Sequence, residues 1–163
     1  MIAATMGPEG DLVAARLARG CRCFAVWMDG QVAGYGWLST GPEWIGELQL
    51  EITPGSAEGY IWNCVTVDAH RRKGIFRSLL IGISEIARRD GLKRLWIGSV
   101  AIPAEKAVGS SGFQPALHFT TVTVGGLHAM RMTARDPKLS QDAGRVLRVQ
   151  PGWYMRRSRR RRH

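Results

Sequence analysis

The chain is poor in several features that would announce a protein class. Only three cysteines occur among 163 residues, an odd count that argues against a disulfide framework and suits a reducing compartment. No apolar run reaches the length of a membrane span, and no cationic stretch followed by an apolar segment opens the chain as a secretory signal would. A cytoplasmic protein is therefore the expectation. Neither a Gly-x4-Gly-Lys-Ser/Thr loop nor a Gly-x-Gly-x-x-Gly after a strand is present, which argues against a P-loop or Rossmann nucleotide site. Cys21-x-Cys23 has no second cysteine pair or nearby histidine to complete a zinc site, so no metal is expected.

Acidic residues are missing from the end of the chain. The segment MRRSRRRRH holds six arginines between Arg156 and Arg162 with no acid among them. The net charge is +10, and only +4 remains when those six are set aside. Such a run cannot bury apolar surface and repels itself, so residues 156–163 read as a disordered tail. It would serve as a solubilising terminus, or as an arm binding RNA, DNA or anionic lipid without sequence preference.

What is present fits one soluble domain: 45% hydrophobic and 22% charged residues in a length that supports a substantial core. Asp11 to Ala18 has helical spacing, stopped by Gly20. Arg22 to Met28 and Gln31 to Leu38 read as a hairpin around Asp29-Gly30. Gly46 to Thr53 alternates like a half-buried strand, and Tyr60 to Val67 is a stronger one. Ile75, Phe76, Leu79, Leu80, Ile83, Ile86 and Ala87 form one helical stripe ended by Asp90-Gly91. A strand over Arg94 to Ala101 follows, then a short helix opened by Pro103 and ended at Gly112-Phe113. HFTTVTV and LHAMRMT flank Gly125-Gly126 as a terminal hairpin. Residues after Asp136 lack clear periodicity. The order predicts an α/β fold with a mixed sheet: an antiparallel N-terminal meander, a right-handed parallel strand–helix–strand crossover and a C-terminal hairpin. Residues 1–136 read as a single domain, 137–155 as an extension, and 156–163 as the tail.

The stretch VDAHRRKGIFRSLL sits where a strand gives way to a helix. The first amides of that helix have no intrahelical partners and lie at the positive end of its dipole. That makes an anion site best suited to phosphate. Gly74 leaves room for the anion, and Arg71, Arg72, Lys73 and Arg77 supply a cationic rim.

Arg71-x-x-Gly74-x-Phe76, between strand YIWNCVTV and helix GIFRSLLIGISEIARR, resembles the Gln/Arg-x-x-Gly-x-Gly/Ala signature of the GNAT superfamily of acyl-CoA-dependent N-acyltransferases. SSGFQP (Ser110 to Pro115) is similar to the family's glycine-phenylalanine pair after its fourth helix, and the terminal hairpin falls where its last strands belong. The resemblance spans roughly Asp11 to Thr133. It implies an N-acetyltransferase that moves an acetyl group directly from acetyl-CoA, the co-substrate, to a primary amine. Cys64, Val65, Thr66 and Val67 would then face the pantetheine and thioester, with a strand N–H at Val65 or Thr66 as oxyanion donor. Arg71, Arg72, Lys73, Gly74, Ile75, Phe76 and Arg77 would surround the pyrophosphate. Splaying of the two parallel strands would admit the pantetheine arm.

Three positions depart from the family pattern. Phe76 replaces a small residue. Val108 stands where a tyrosine commonly protonates the leaving thiolate, which hands that role to Ser110, Ser111 or water. Ala101 replaces a frequent asparagine. The family's first strand would be supplied by Ile2 to Thr5 or be absent. For the base, Glu58 and Tyr60 at the start of the central strand are the catalytic candidates, with Glu47 and Glu51 on one face of the preceding strand as others. Trp37 and Trp44 flank the loop close to where the family binds its acceptor. A second reading is an acyl-CoA-binding sensor without turnover, and a third is a nucleic-acid-associated protein acting through the arginine tail. Partners are acetyl-CoA, an amine acceptor, polyanions at the tail, and a second copy in a homodimer.

Overall fold

The computed structural model describes residues 2–46, 50–99, 102–124 and 127–157. They fall into two compact units, Met1–Phe113 and Gln114–His163. The first opens with a short helix α1 (Ile2–Thr5), a 3-10 segment (Gly7–Leu12) and helix α2 (Val13–Ala18). The residues that could have supplied a first strand are therefore helical, and the expected Asp11 to Ala18 helix begins in α form only at Val13.

Strands β1 (Arg22–Met28) and β2 (Gln31–Ser39) form the expected hairpin. Asp29 and Gly30 take φ of 50° and 74°, the pair of positive values that a two-residue turn matching strand twist requires. The single strand expected over Gly46 to Thr53 is replaced by two short ones, β3 (Glu43–Ile45) and β4 (Leu50–Ile52), paired as a separate ribbon. Glu43 is buried there because Arg19 clasps it at 3.0 and 3.1 Å and the Cys21 thiol and Trp44 amide donate to it.

Strand β5 (Glu58–Thr66) leads into helix α3 (Ile75–Arg89), which returns to strand β6 (Arg94–Ile97). The sheet order is β1-β2-β5-β6, antiparallel except for the β5–β6 pair. The mixed sheet and crossover are thus as the pattern of residues implies. Ile75, Leu79, Leu80, Ile83 and Ala87 bury one stripe of α3 against Leu38 and Ile61 of the sheet. Each large aliphatic side chain buried this way contributes about 1.5–3 kcal/mol. Arg88 and Arg89 close the helix where cations offset its dipole. Helix α4 (Ile102–Ser110) ends the unit, with Val108 and Phe113 packed on the same core.

The second unit is a three-stranded antiparallel sheet, β7 (Leu117–Val124), β8 (Leu127–Ala134) and β9 (Gly152–Arg157), with helix α5 (Pro137–Leu147) inserted before the last strand. The expected hairpin is β7–β8. The region read as aperiodic is α5 and β9, and the strand takes in Arg156 and Arg157 of the expected tail. Asp136 caps α5, its carboxylate accepting from the Leu139 amide at 2.8 Å, and Pro137 occupies the first turn.

Candidate active site

The site is set by where two parallel strands part. β5 pairs with β6 only from Glu58↔Arg94 to Ile61↔Ile97, while β5 itself continues through Thr66. Trp62 to Thr66 therefore form an open edge about 16 Å long at ~3.3 Å per residue. Within this stretch the register with β2 breaks between Tyr35 and Trp37, so that Asn63 and Cys64 together stand opposite Gly36. Asn63 takes φ of 47°, the left-handed conformation that asparagine tolerates better than most residues. A methyl group on Gly36 would lie 2.7 Å from the Cys64 sulfur, which explains glycine there.

The open edge runs straight into the basic loop. A 3-10 turn (Asp68–His70) is followed by Arg71 in extended conformation, Arg72 at φ 64° and Gly74 at φ 77°. The first helical bond of α3 is from the Ser78 amide to the Gly74 carbonyl, 3.0 Å. The amides of Ile75, Phe76 and Arg77 precede it and point out of the helix start. Arg71, Arg72, Lys73 and Arg77 are exposed around them, and Arg71 is paired with Asp68 at 2.8 Å. A side chain at Gly74 would meet nothing within 4 Å, so its positive φ is what calls for glycine. Phe76, the departure from the family pattern, is partly buried and packs against the α3 core.

On the sheet face opposite α3 lies a polar cluster that sequence reasoning missed. Glu9 accepts from Asn63 Nδ2 at 2.7 Å and from Arg16 at 2.9 Å through the same oxygen. Arg16 is buried at 5% exposure, its guanidinium 4.6 Å from the Trp62 ring centroid and 5.2 Å from that of Trp37. Arg16 Nη1 and the indole N–H groups of Trp37 and Trp62 are buried with no partner among the described residues. Glu9 itself is half-exposed, with 48% of its side chain open to solvent. The signal was available in the lone arginine of DLVAARLA and in an asparagine inside a β-rich run.

Other expected site residues are dispersed. Glu58 and Tyr60 lie at the opposite, paired end of β5 and are buried. Glu58 accepts from the Gly55 amide at 2.9 Å and stands 3.7 Å from Arg94. The structure does not bring these two to the open edge. Ser110 and Ser111 both donate to the Ala107 carbonyl, at 2.9 and 2.8 Å. Glu51 is exposed on β4, whereas Glu47 and Ala101 lie outside the described residues. Cys64 borders the open edge, where burial pushes its thiol up to about 12, so it is protonated at neutral pH and no ready nucleophile. Burial likewise raises Cys23 and Tyr35. Trp44 is exposed, but Trp37 is fully buried against Arg16.

The parallel strand pair thus parts on the side of the sheet from which β5 leads to the glycine-capped start of α3. The chain belongs to the acetyltransferase (GNAT) family, whose sequence profile matches residues 5–110. Among solved structures it is similar to an acetyltransferase from Agrobacterium tumefaciens, with 22% identity, 66% of this chain and 72% of the other covered, and a TM-score of 0.50. It is also similar to a Bacillus subtilis acetyltransferase in complex with CoA, with 19% identity, coverage of 72% and 65%, and a TM-score of 0.50. A third is a ribosomal-protein-alanine N-acetyltransferase from Brucella melitensis, with 18% identity, coverage of 74% and 82%, and a TM-score of 0.50. No curated protein matches the chain. No helix among the described residues is long and apolar enough to cross a membrane.

Proposed function

We propose that the chain transfers an acetyl group from acetyl-CoA to a primary amine by direct attack. The observation that carries this reading is the open edge Trp62–Thr66 followed, across the short loop of residues 67–74, by the amides of Ile75, Phe76 and Arg77. A pyrophosphate fits those amides, with Arg72, Lys73 and Arg77 as counter-charges. The pantetheine arm fits the edge, which would complete the strand ladder that β6 abandons. An N–H of that edge, at Val65 or Thr66, stabilises the oxygen as the amine nitrogen bonds the thioester carbon. The carbon–sulfur bond then breaks and the thiolate takes a proton from water.

Glu9 is the carboxylate we assign to the amine's proton. Its tie to Asn63 holds it beside the bulge of the open edge, and Arg16 fixes its orientation. Glu58 instead holds Gly55 and Arg94 at the far end of the strand. In an assay of CoA release over an amine panel, Glu9→Gln should lower kcat about a hundredfold while leaving the thermal shift given by acetyl-CoA unchanged. Full activity in Glu9→Gln would remove Glu9 from the mechanism. No thermal shift for the unmodified chain would remove the acetyl-CoA site itself.

A second reading, binding without turnover, has one observation in its favour. Val108 packs into the core and the hydroxyls of Ser110 and Ser111 both donate to the Ala107 carbonyl, so none of the three positions expected to serve the thiolate presents a free hydroxyl. A thermal shift with acetyl-CoA combined with no CoA release for any amine would favour it.

A further inference from the structure

The charge of the molecule is divided unequally between its two units. Gln114–His163 holds eleven of the 23 basic residues and two of the 13 acids, a net +9, which leaves +1 on Met1–Phe113. The acetyl-CoA site proposed above draws on residues of Met1–Phe113 alone. The β7-β8-β9 sheet also presents a face that its own unit does not cover. Met130 and Met132 are buried on one face, so the alternate residues of the three strands form the other. Cross-strand register places Thr120, Arg131 and Trp153 in one row, and Val122, Ala129 and Met155 in the next. Trp153 is 67% exposed, Met155 78% and Val122 51%. The Arg131 guanidinium stands 5.6 Å from the Trp153 ring centroid.

We propose that this sheet face binds a single-stranded polynucleotide, with a base stacked on Trp153 and a phosphate held by Arg131. Three properties of the face select this occupant. The unit that carries the face has a net charge of +9, which complements a polyanion and opposes self-association of two copies through it. Its aromatic group is paired with a guanidinium, the combination that stacks bases irrespective of sequence. Its apolar residues are interrupted by Thr120, Arg131 and the exposed His118, whereas a surface dipping into a bilayer needs a continuous apolar face with charges at its margin.

The test uses the full chain and fluorescently labelled oligo(dT) and oligo(U) of about 15 nucleotides, with anisotropy read over a range of KCl. The expected result is salt-sensitive binding to both, with Trp153→Ala about tenfold weaker and Trp153→Phe close to the unmodified chain. Comparison of the two oligonucleotides separates RNA from DNA as the source of the bases. Melting of each variant shows whether the loss is one of folding. Quenching of tryptophan emission on oligonucleotide addition, reduced in Trp153→Phe, reports the stack independently. Unchanged affinity of Trp153→Ala would overturn the proposal, since binding would then need only the arginine run. Flotation with phosphatidylserine vesicles in preference to oligonucleotide binding would overturn it, as would a dimer that Trp153→Ala dissociates.

Discussion

Gly74 is held at φ 77° although a side chain there would meet open space, so its constraint is conformational and electrostatic. The two components can be separated, because asparagine and aspartate both tolerate the left-handed region. Gly74→Asn should keep the loop and most acetyl-CoA affinity, while Gly74→Asp adds a negative charge at the amides proposed to hold pyrophosphate. Calorimetric titration should show the aspartate variant at least ~10-fold weaker than the asparagine one. Equal affinities would move the pyrophosphate away from Gly74. Glu43 is the other residue whose state is set by its surroundings. Burial alone would raise its carboxyl, but donation from Cys21 and Arg19 and from the Trp44 amide outweighs burial and lowers it. A lowered carboxylate stabilises the fold above its unfolded pKa, and that contribution is lost as pH falls through the folded value. Urea denaturation should therefore show stability decreasing below the ordinary carboxylate range, with a shallower decrease in Glu43→Gln. The variant should also be less stable at neutral pH by about 1–3 kcal/mol, because Arg19 and Cys21 lose an ionised acceptor.

At the scale of elements, the site depends on β5 being irregular where its neighbours are regular. Asn63 supplies a left-handed backbone and a side chain that reaches Glu9. Replacing it with valine should cost about 1–2 kcal/mol in conformation alone. Asn63→Gly should cost less in stability while losing the Glu9 tie, so kcat should drop in the glycine variant without a matching drop in melting temperature. Equal activity for Asn63→Gly and the unmodified chain would show that the tie does not serve the reaction. The regular elements were legible in the sequence. α3 shows its apolar stripe and its Gly74 and Asp90 boundaries, and the Asp29-Gly30 turn fixes the first hairpin, since both express local periodicity and φ preference. The polar cluster was not legible, because Glu9 on the 3-10 segment, Arg16 on α2 and Asn63 on β5 meet only in the folded unit, 54 residues separating Glu9 from Asn63. Glu58 and Tyr60 illustrate the converse. They were placed correctly at a strand start, but the end at which the ladder opens is decided by where β6 stops. α5 escaped notice although Asp136-Pro137 is a usable start signal, because its buried face includes Ser140 and Gly144 beside Ala143, Val146 and Leu147, which blunts the apolar stripe.

At the scale of the whole molecule, the segregation of charge separates two kinds of anion recognition that the basic loop alone would confound. The CoA site proposed at α3 would rest on fixed amides and three or four side chains around a nearly neutral unit. The polyanion binding proposed for the second unit would rest on many charges and on counterion release, which scales with their number. The two should therefore respond differently to loss of arginines far from α3. Replacing Arg159, Arg160, Arg161 and Arg162 with glutamine in the full chain should reduce the slope of log affinity for oligo(dT) against log salt by up to about 3, at ~0.7 per neutralised phosphate. It should leave the acetyl-CoA affinity and its thermal shift where they were. Some oligonucleotide binding should survive, and it should still be weakened by Trp153→Ala, because the stack on the sheet face does not depend on those four charges. A parallel loss of acetyl-CoA affinity would mean that the arginine run serves the cofactor loop, and the two anion sites would then have to be treated as one.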